Sequence, residues 1–255
     1  MDDKNLKLGI MDFFQEHDFK VSEIPVQQGK KTPDLLVEKD EVVFVIEIKE
    51  KDDDSARIVR ENEGLAKGLI VSRSESINRT NSVSGIVSNA VEQLAKYQAP
   101  PKSLKLVWLH ASGCDPELKM MQFHGSIYGI VDIIDMDSGK SRKCYYFGFN
   151  DFFRYSEILD GAILTAGSSL QVCVNDLSPR ASELRKSPLV TMFSRGVLDP
   201  AELEKQGVAY IADCDLDRRD TTQLLTYLQN KYQKRWLMDL NFTQHTAALA
   251  VNKVS

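Results

Sequence analysis

Apolar residues recur at helical spacing near the start of the chain: Leu6, Ile10, Phe13 and Phe14 within residues 4–17 predict an opening helix, which Asp2 or Asp3 can cap. Residues 19–25 then alternate like a short strand, and the polar residues 27–32 read as a loop. Two β-rich runs follow, 33–37 and 42–49, separated by Glu38-Lys39-Asp40-Glu41, which is the pattern of a hairpin. Residues 55–81 are polar and read as a short helix with a loop. In residues 83–97, Val83, Ile86, Val87, Ala90, Val91 and Leu94 fall on one side of a helix that Pro100-Pro101 stops. Residues 104–110 form another apolar strand. The order α-β-β-β-α-β predicts an α/β fold: a mixed central sheet flanked by helices.

Beyond Gly113 the pattern predicts strands at 125–135 and 143–149, joined by a turn at Asp137-Ser138-Gly139-Lys140, and a strand at 170–175. Helices at 200–206 and 220–233 flank a strand at 208–212. No repeat, low-complexity tract or long linker marks a boundary. The chain divides for description into a core, residues 1–112, and an α+β C-terminal region, residues 113–255, whose role the sequence does not assign. That region can be a separate domain or an elaboration of the same sheet.

The hairpin puts unusual residues on a buried strand. With the turn centred between Lys39 and Asp40, Val37 faces Val42, Leu36 faces Val43 and Asp34 faces Val45. Opposed residues and their i, i+2 neighbours share a face, so Asp34, Val45, Glu47 and Lys49 project to one side. Asp34 then lies diagonal to Glu47, roughly 7–8 Å away between backbones. Phe44, Ile46 and Ile48 make the other face apolar, so the strand is central and buried on both sides, and the sheet opens where the charges begin. Burying such charges costs several kcal/mol unless something compensates, and a divalent cation does so. Mg²⁺ is a hard ion that takes one or two carboxylates and keeps several waters. A lysine two residues on adds a point charge for water or phosphate.

Pro33-Asp34, twelve intervening residues, then Glu47-Ile48-Lys49 resembles the signature of the PD-(D/E)xK nuclease superfamily, the restriction-endonuclease-like fold. The resemblance covers about residues 4–112 and extends to the helix containing Ala90-Val91-Glu92-Gln93-Leu94. It implies a metal-dependent endonuclease hydrolysing phosphodiester bonds, with DNA the first choice of substrate, in a prokaryotic defence or restriction-like setting. Carried over by position, the catalytic set is Asp34, Glu47, Lys49 and Gln93. The metal set is Asp34, Glu47 and the backbone carbonyl of Ile48, the cofactor being Mg²⁺ with Mn²⁺ as a substitute. Many members carry a further acid in the first helix; here the candidates are Asp12 and Glu16, which share one helical face. A homodimer or a partner protein is compatible with double-strand cutting. The alternative is a non-catalytic nucleic-acid-binding or scaffold module that keeps the fold.

Composition adjusts this picture only slightly. The chain has 255 residues, 42% hydrophobic and 27% charged, with a net charge of −5. An acidic chain is no general coat for nucleic acid, so any polyanion site must be local. Arg57, Arg60, Arg73 and Arg79, between the motif and the next helix, are the candidate phosphate contacts. Lys140, Arg142 and Lys143, then Arg218-Arg219, then Lys231, Lys234 and Arg235, read as ordinary surface. The run Asp213-Cys214-Asp215-Leu216-Asp217 after a buried strand resembles the acidic end of a Toprim fold, but its companion Glu-Gly motif is missing upstream; capping of the helix at Thr221 is the plainer reading. Four widely spaced cysteines and four isolated histidines suggest neither a zinc site nor a disulfide framework, and read as core thiols and structural rings. The opening residues lack a signal-peptide pattern, and no apolar run approaches the eighteen or so residues of a membrane span, so a cytoplasmic protein without a membrane partner is expected.

Overall fold

A computed structural model describes residues 3–26, 31–240 and 245–251. The side chains expected to cap the first helix, and most of the expected 27–32 loop, lie outside them. The first half runs α1 (Asp3–Glu16), β1 (Lys20–Glu23), β2 (Leu35–Lys39), β3 (Val42–Lys51), α2 (Ser55–Ala66), β4 (Val71–Ser76), α3 (Asn81–Lys96) and β5 (Leu104–Ala111). Then come α4 (Pro116–Tyr128), β6 (Val131–Asp135), β7 (Lys140–Tyr145), α5 (Asp151–Arg154), β8 (Gly161–Ala166), β9 (Ser169–Val174), α6 (Ala181–Lys186) and α7 (Pro188–Met192). The chain continues with β10 (Val197–Leu198), α8 (Pro200–Lys205), β11 (Ala209–Ile211), α9 (Thr221–Tyr232), β12 (Leu237–Leu240) and β13 (His245–Ala250).

Among the described residues seven strands form a mixed central sheet in the order β1-β2-β3-β5-β8-β9-β10. The α/β class with helices on a mixed sheet is as expected. β3, β5 and β8 run parallel in the middle, with antiparallel neighbours on either side. A four-stranded sheet, β11-β7-β6-β12, and the pair β13-β4 complete the architecture. Of the two readings of the second half, β8, β9 and β10 show elaboration: they extend the same sheet.

Two apolar layers sandwich the central strands. On one side Leu6, Ile10 and Phe14 of α1 pack with Phe44, Ile46, Leu106 and Trp108. On the other, Val83, Val87, Ala90 and Leu94 of α3 and Phe123 and Ile127 of α4 pack with Val45, Val107 and Leu109. β3 is therefore central and covered on both faces, as its unbroken apolar run predicts.

Several local expectations change. Residues 125–128, read as strand, are the last turn of α4, which Gly129 ends in the left-handed region. Lys119, Gln122 and Ser126 are buried along with Phe123 and Ile127, so this helix has no polar face to mark its period. Residues 146–149, also read as strand, lie beyond β7. The 55–81 segment holds α2 and also β4, which pairs antiparallel with β13 from the far end of the chain. Such a partner leaves no local signal. The sequence pattern does not predict β8, which is buried at every position. Of the cysteines, only Cys144 and Cys173 are core thiols; Cys114 is exposed and Cys214 half-buried. No helix among the described residues is long and apolar enough to cross a membrane.

Candidate metal and phosphate site

The β2–β3 hairpin turns at Asp40 and Glu41, both at positive φ (49° and 64°). Val37 pairs with Phe44, Leu36 with Val45 and Leu35 with Ile46. The turn centre lies one residue later than expected, so each β2 residue meets a β3 residue two further on. A shift of two preserves every side-chain face, whereas a shift of one would have reversed them. The ladder ends at Leu35–Ile46, and continued by one residue its register would set Asp34 opposite Glu47 rather than diagonal to it.

β2 begins opposite Ile46 while β3 runs on to Lys51, so the sheet opens beside residues 47–51. Pro33 precedes this point and has no N–H to continue the ladder. Asp34 closes it differently. Its N–H donates to the Ile46 carbonyl (3.1 Å), its own carbonyl accepts from Ile24 N–H (3.0 Å), and its Oδ2 accepts from Ile48 N–H (2.9 Å). A side-chain oxygen takes the place of a backbone acceptor, which fixes the carboxylate against β3. The Ile48 carbonyl lies on the same edge of β3 as that N–H.

Glu47 is only 2% exposed. Its Oε1 accepts from Gln93 Nε2 of α3 (2.5 Å) and from the Lys49 ammonium. Its Oε2 is buried and meets no donor. Burial, with the Asp34 charge beside it, pushes the Glu47 carboxyl up to about 7 against the pull of Lys49. Asp34, Glu47, Ile48, Lys49 and Gln93 line one cleft of about 710 Å³, so the sequence-derived set does converge.

The first helix contributes otherwise than expected. Asp12 and Glu16 are exposed and do not line the cleft. They follow Lys7 by five and nine residues, roughly 140° and 180° around the helix. The α1 residue at the site is Lys7, whose Nζ lies 2.8 Å from Asp34 Oδ1 and 3.9 Å from Glu23 Oε2. Burial lowers its affinity for the proton, but the Asp34 hydrogen bond and charge outweigh that and raise it. Sequence reasoning missed Lys7 because a lysine on the flank of an amphipathic helix looks like any solvated lysine; the only clue is its place next to core residues Leu6 and Ile10.

The arginines assigned to phosphate are largely engaged with carboxylates of their own region. Arg57 Nη1 is 2.7 Å from Glu75 Oε1, and Arg73 Nη2 is 2.5 Å from Glu61 Oε2. Arg79 donates to Asn81 Oδ1 (2.9 Å) and stacks on Phe149. Arg60 is exposed, and none of the four lines the cleft. Arg218, read as surface, is 6% exposed and donates to the carbonyls of Ala212, Cys214 and Leu216, locking the turn after β11. Asp213 is held by Tyr227 and Lys231 and Asp217 by Arg219, while the cap of α9 is Asp220, just beyond that acidic run. The rings of His110 and His124 bond to Thr165 and Gln171.

The residues fit a small divalent cation. Two carboxylates converge, one has a buried oxygen without a donor, and the cleft is lined by four carboxylates (Glu23, Asp34, Glu47, Glu50) against three ammonium groups (Lys4, Lys7, Lys49). Among the described residues no group of three or more His, Cys, Asp or Glu side chains is gathered for a metal, but Mg²⁺ commonly takes only one or two carboxylates and completes its shell with water. Comparison of the chain with family models, with curated proteins and with solved structures finds no match, so the functional reading rests on these residues alone.

Proposed function

We propose that this chain is a Mg²⁺-dependent endonuclease of the PD-(D/E)xK kind, hydrolysing phosphodiester bonds in DNA as part of a defence or restriction-like system. The observation that carries the reading is Glu47: a carboxylate on the central strand, beside Asp34, with one oxygen held by Gln93 and Lys49 and the other buried without a donor. Asp34, Glu47 and the Ile48 carbonyl are the oxygen donors for the cation. When bound, it offsets charge on the scissile phosphate and acidifies a water. Gln93 fixes the rotamer of Glu47. Lys49 keeps a positive charge at the mouth of the site, within reach of a phosphate oxygen or a water. Asp34 is pinned by Ile48 N–H, so little reorganisation is needed.

Purified protein should nick or cut plasmid DNA in Mg²⁺ or Mn²⁺. Asp34→Ala and Lys49→Ala should each lower the rate by roughly a hundredfold or more, the scale of a lost catalytic group, with circular dichroism unchanged. Cleavage at wild-type rate in both variants would sink the assignment. One observation favours a second reading, a non-catalytic nucleic-acid-binding or scaffold module: both carboxylates already hold a lysine partner, Lys7 on Asp34 and Lys49 on Glu47. Calorimetry separates the two, since that module binds no Mg²⁺ and cuts neither DNA nor RNA.

A further inference from the structure

We infer that Lys7 is a built-in counter-ion of this site, which holds Asp34 while the cleft is empty and leaves it for a phosphate of the substrate. The inference rests on the nuclease reading above and adds a regulatory group to it. Three observations combine. Asp34 has both oxygens engaged: Oδ2 by Ile48 N–H, which is backbone and fixed, and Oδ1 by the Lys7 ammonium, which is mobile on four methylenes. Lys7 sits on the flank of α1, whose rotation Leu6 and Ile10 fix by burial, so its stem is held over the open edge of the sheet. Its side chain is 27% exposed and lines the same cleft as Glu47 and Lys49, so the ammonium has somewhere else to go without leaving the site.

The physical consequence is an opposition. An ammonium 2.8 Å from Asp34 repels any second cation brought to that carboxylate. Lys7 therefore weakens metal binding in the empty cleft. A phosphodiester entering the cleft offers Lys7 an alternative anion, and its departure from Asp34 restores that oxygen as a donor. Metal loading is thereby tied to the presence of a polyanion. A purely structural ion pair has no such double effect, because its loss would loosen the site toward metal and polyanion alike.

The test measures both affinities on the full chain. Titration calorimetry with Mn²⁺ alone should give Lys7→Met a tighter dissociation constant than wild type, by about tenfold for one removed cation at this range. Binding of a short duplex oligonucleotide in EDTA should be weaker for Lys7→Met. Its log K against log salt slope should be shallower by about one phosphate contact. Lys7→Arg, which keeps the charge, should restore both values. Mn²⁺ binding by wild type with no tightening in Lys7→Met overturns the inference and leaves the nuclease reading standing, as does tightening with unchanged oligonucleotide binding. Absence of Mn²⁺ binding in wild type, Lys7→Met and an Asp34→Asn control alike overturns the nuclease reading and this inference together.

Discussion

Glu47 and Asp151 are both buried carboxylates whose protons are held above the ordinary range, but their surroundings differ. Glu47 opens on a cleft with Asp34 and three lysines. Asp151, at the start of α5, is fully buried, and the hydroxyl of Ser84 is its largest counterweight. Burial pushes its carboxyl up to about 6, with Ser84, Arg79 and Arg154 opposing only in part. The native state therefore holds this proton more tightly than the unfolded chain, whose value lies near 3.8. Its contribution to stability is complete below about pH 4 and is lost as pH rises through 6; above that, the buried charge costs on the order of 3 kcal/mol. Asp151→Asn should melt close to wild type at pH 4 and above it at pH 8. A gap in melting temperature that stays constant across that range would show that titration of Asp151 is not the cause. The same scale explains what was legible at the site. Asp34, Glu47, Lys49 and Gln93 could be read because strand parity and helix order constrain them. Lys7 could not, because nothing in one helix says which strand lies opposite its flank.

At the scale of elements, the hairpin decides whether the site exists. Asp40 and Glu41 both adopt the left-handed region that two-residue turns between antiparallel strands favour. Aspartate tolerates it, whereas glutamate there is strained by roughly 1 kcal/mol. Glu41→Gly should thus raise the midpoint of urea unfolding, by about 0.5–1 kcal/mol in stability, since the strain removed outweighs the added freedom of the unfolded chain. A lower midpoint would mean that Glu41 makes contacts that offset its strain. Legibility follows the same physics. β3 and α3 could be read from sequence because one is continuously apolar and the other keeps a clean helical stripe. β8, Gly-Ala-Ile-Leu-Thr-Ala, is too short and too rich in small residues to distinguish strand from helix by periodicity. α4 hides its period by burying a lysine and a glutamine. β4 is recognisable only once β13 is known to lie beside it.

On the scale of the whole molecule, the resemblance ends near residue 112, but the sheet does not. β5, the last strand of that segment, pairs along its far edge with β8, from Leu106–Gly161 to Ala111–Ala166. Asp160 ties the start of that junction: its N–H donates to the Lys105 carbonyl (2.9 Å) and its Oδ2 accepts from Lys105 N–H (2.8 Å). Further along, Trp108 Nε1 donates to Thr165 Oγ1 (2.9 Å). Both apolar layers draw on residues beyond 112, among them Ile163, Val172 and Leu184 on the α1 side and Phe123, Phe152 and Leu164 on the α3 side. A fragment of residues 1–112 would leave β5 as a long apolar edge strand, a template for aggregation, with both its faces partly stripped. It should therefore be insoluble or expanded, with a broad thermal transition in place of a sharp one. Glu47 and Asp34 would lose the rigid frame that holds them, and the Mn²⁺ binding proposed for the full chain would weaken with it. Size-exclusion chromatography and calorimetry on the fragment check this directly: a monomeric fragment that melts cooperatively and binds Mn²⁺ like the full chain would show that the site is framed by the first half alone.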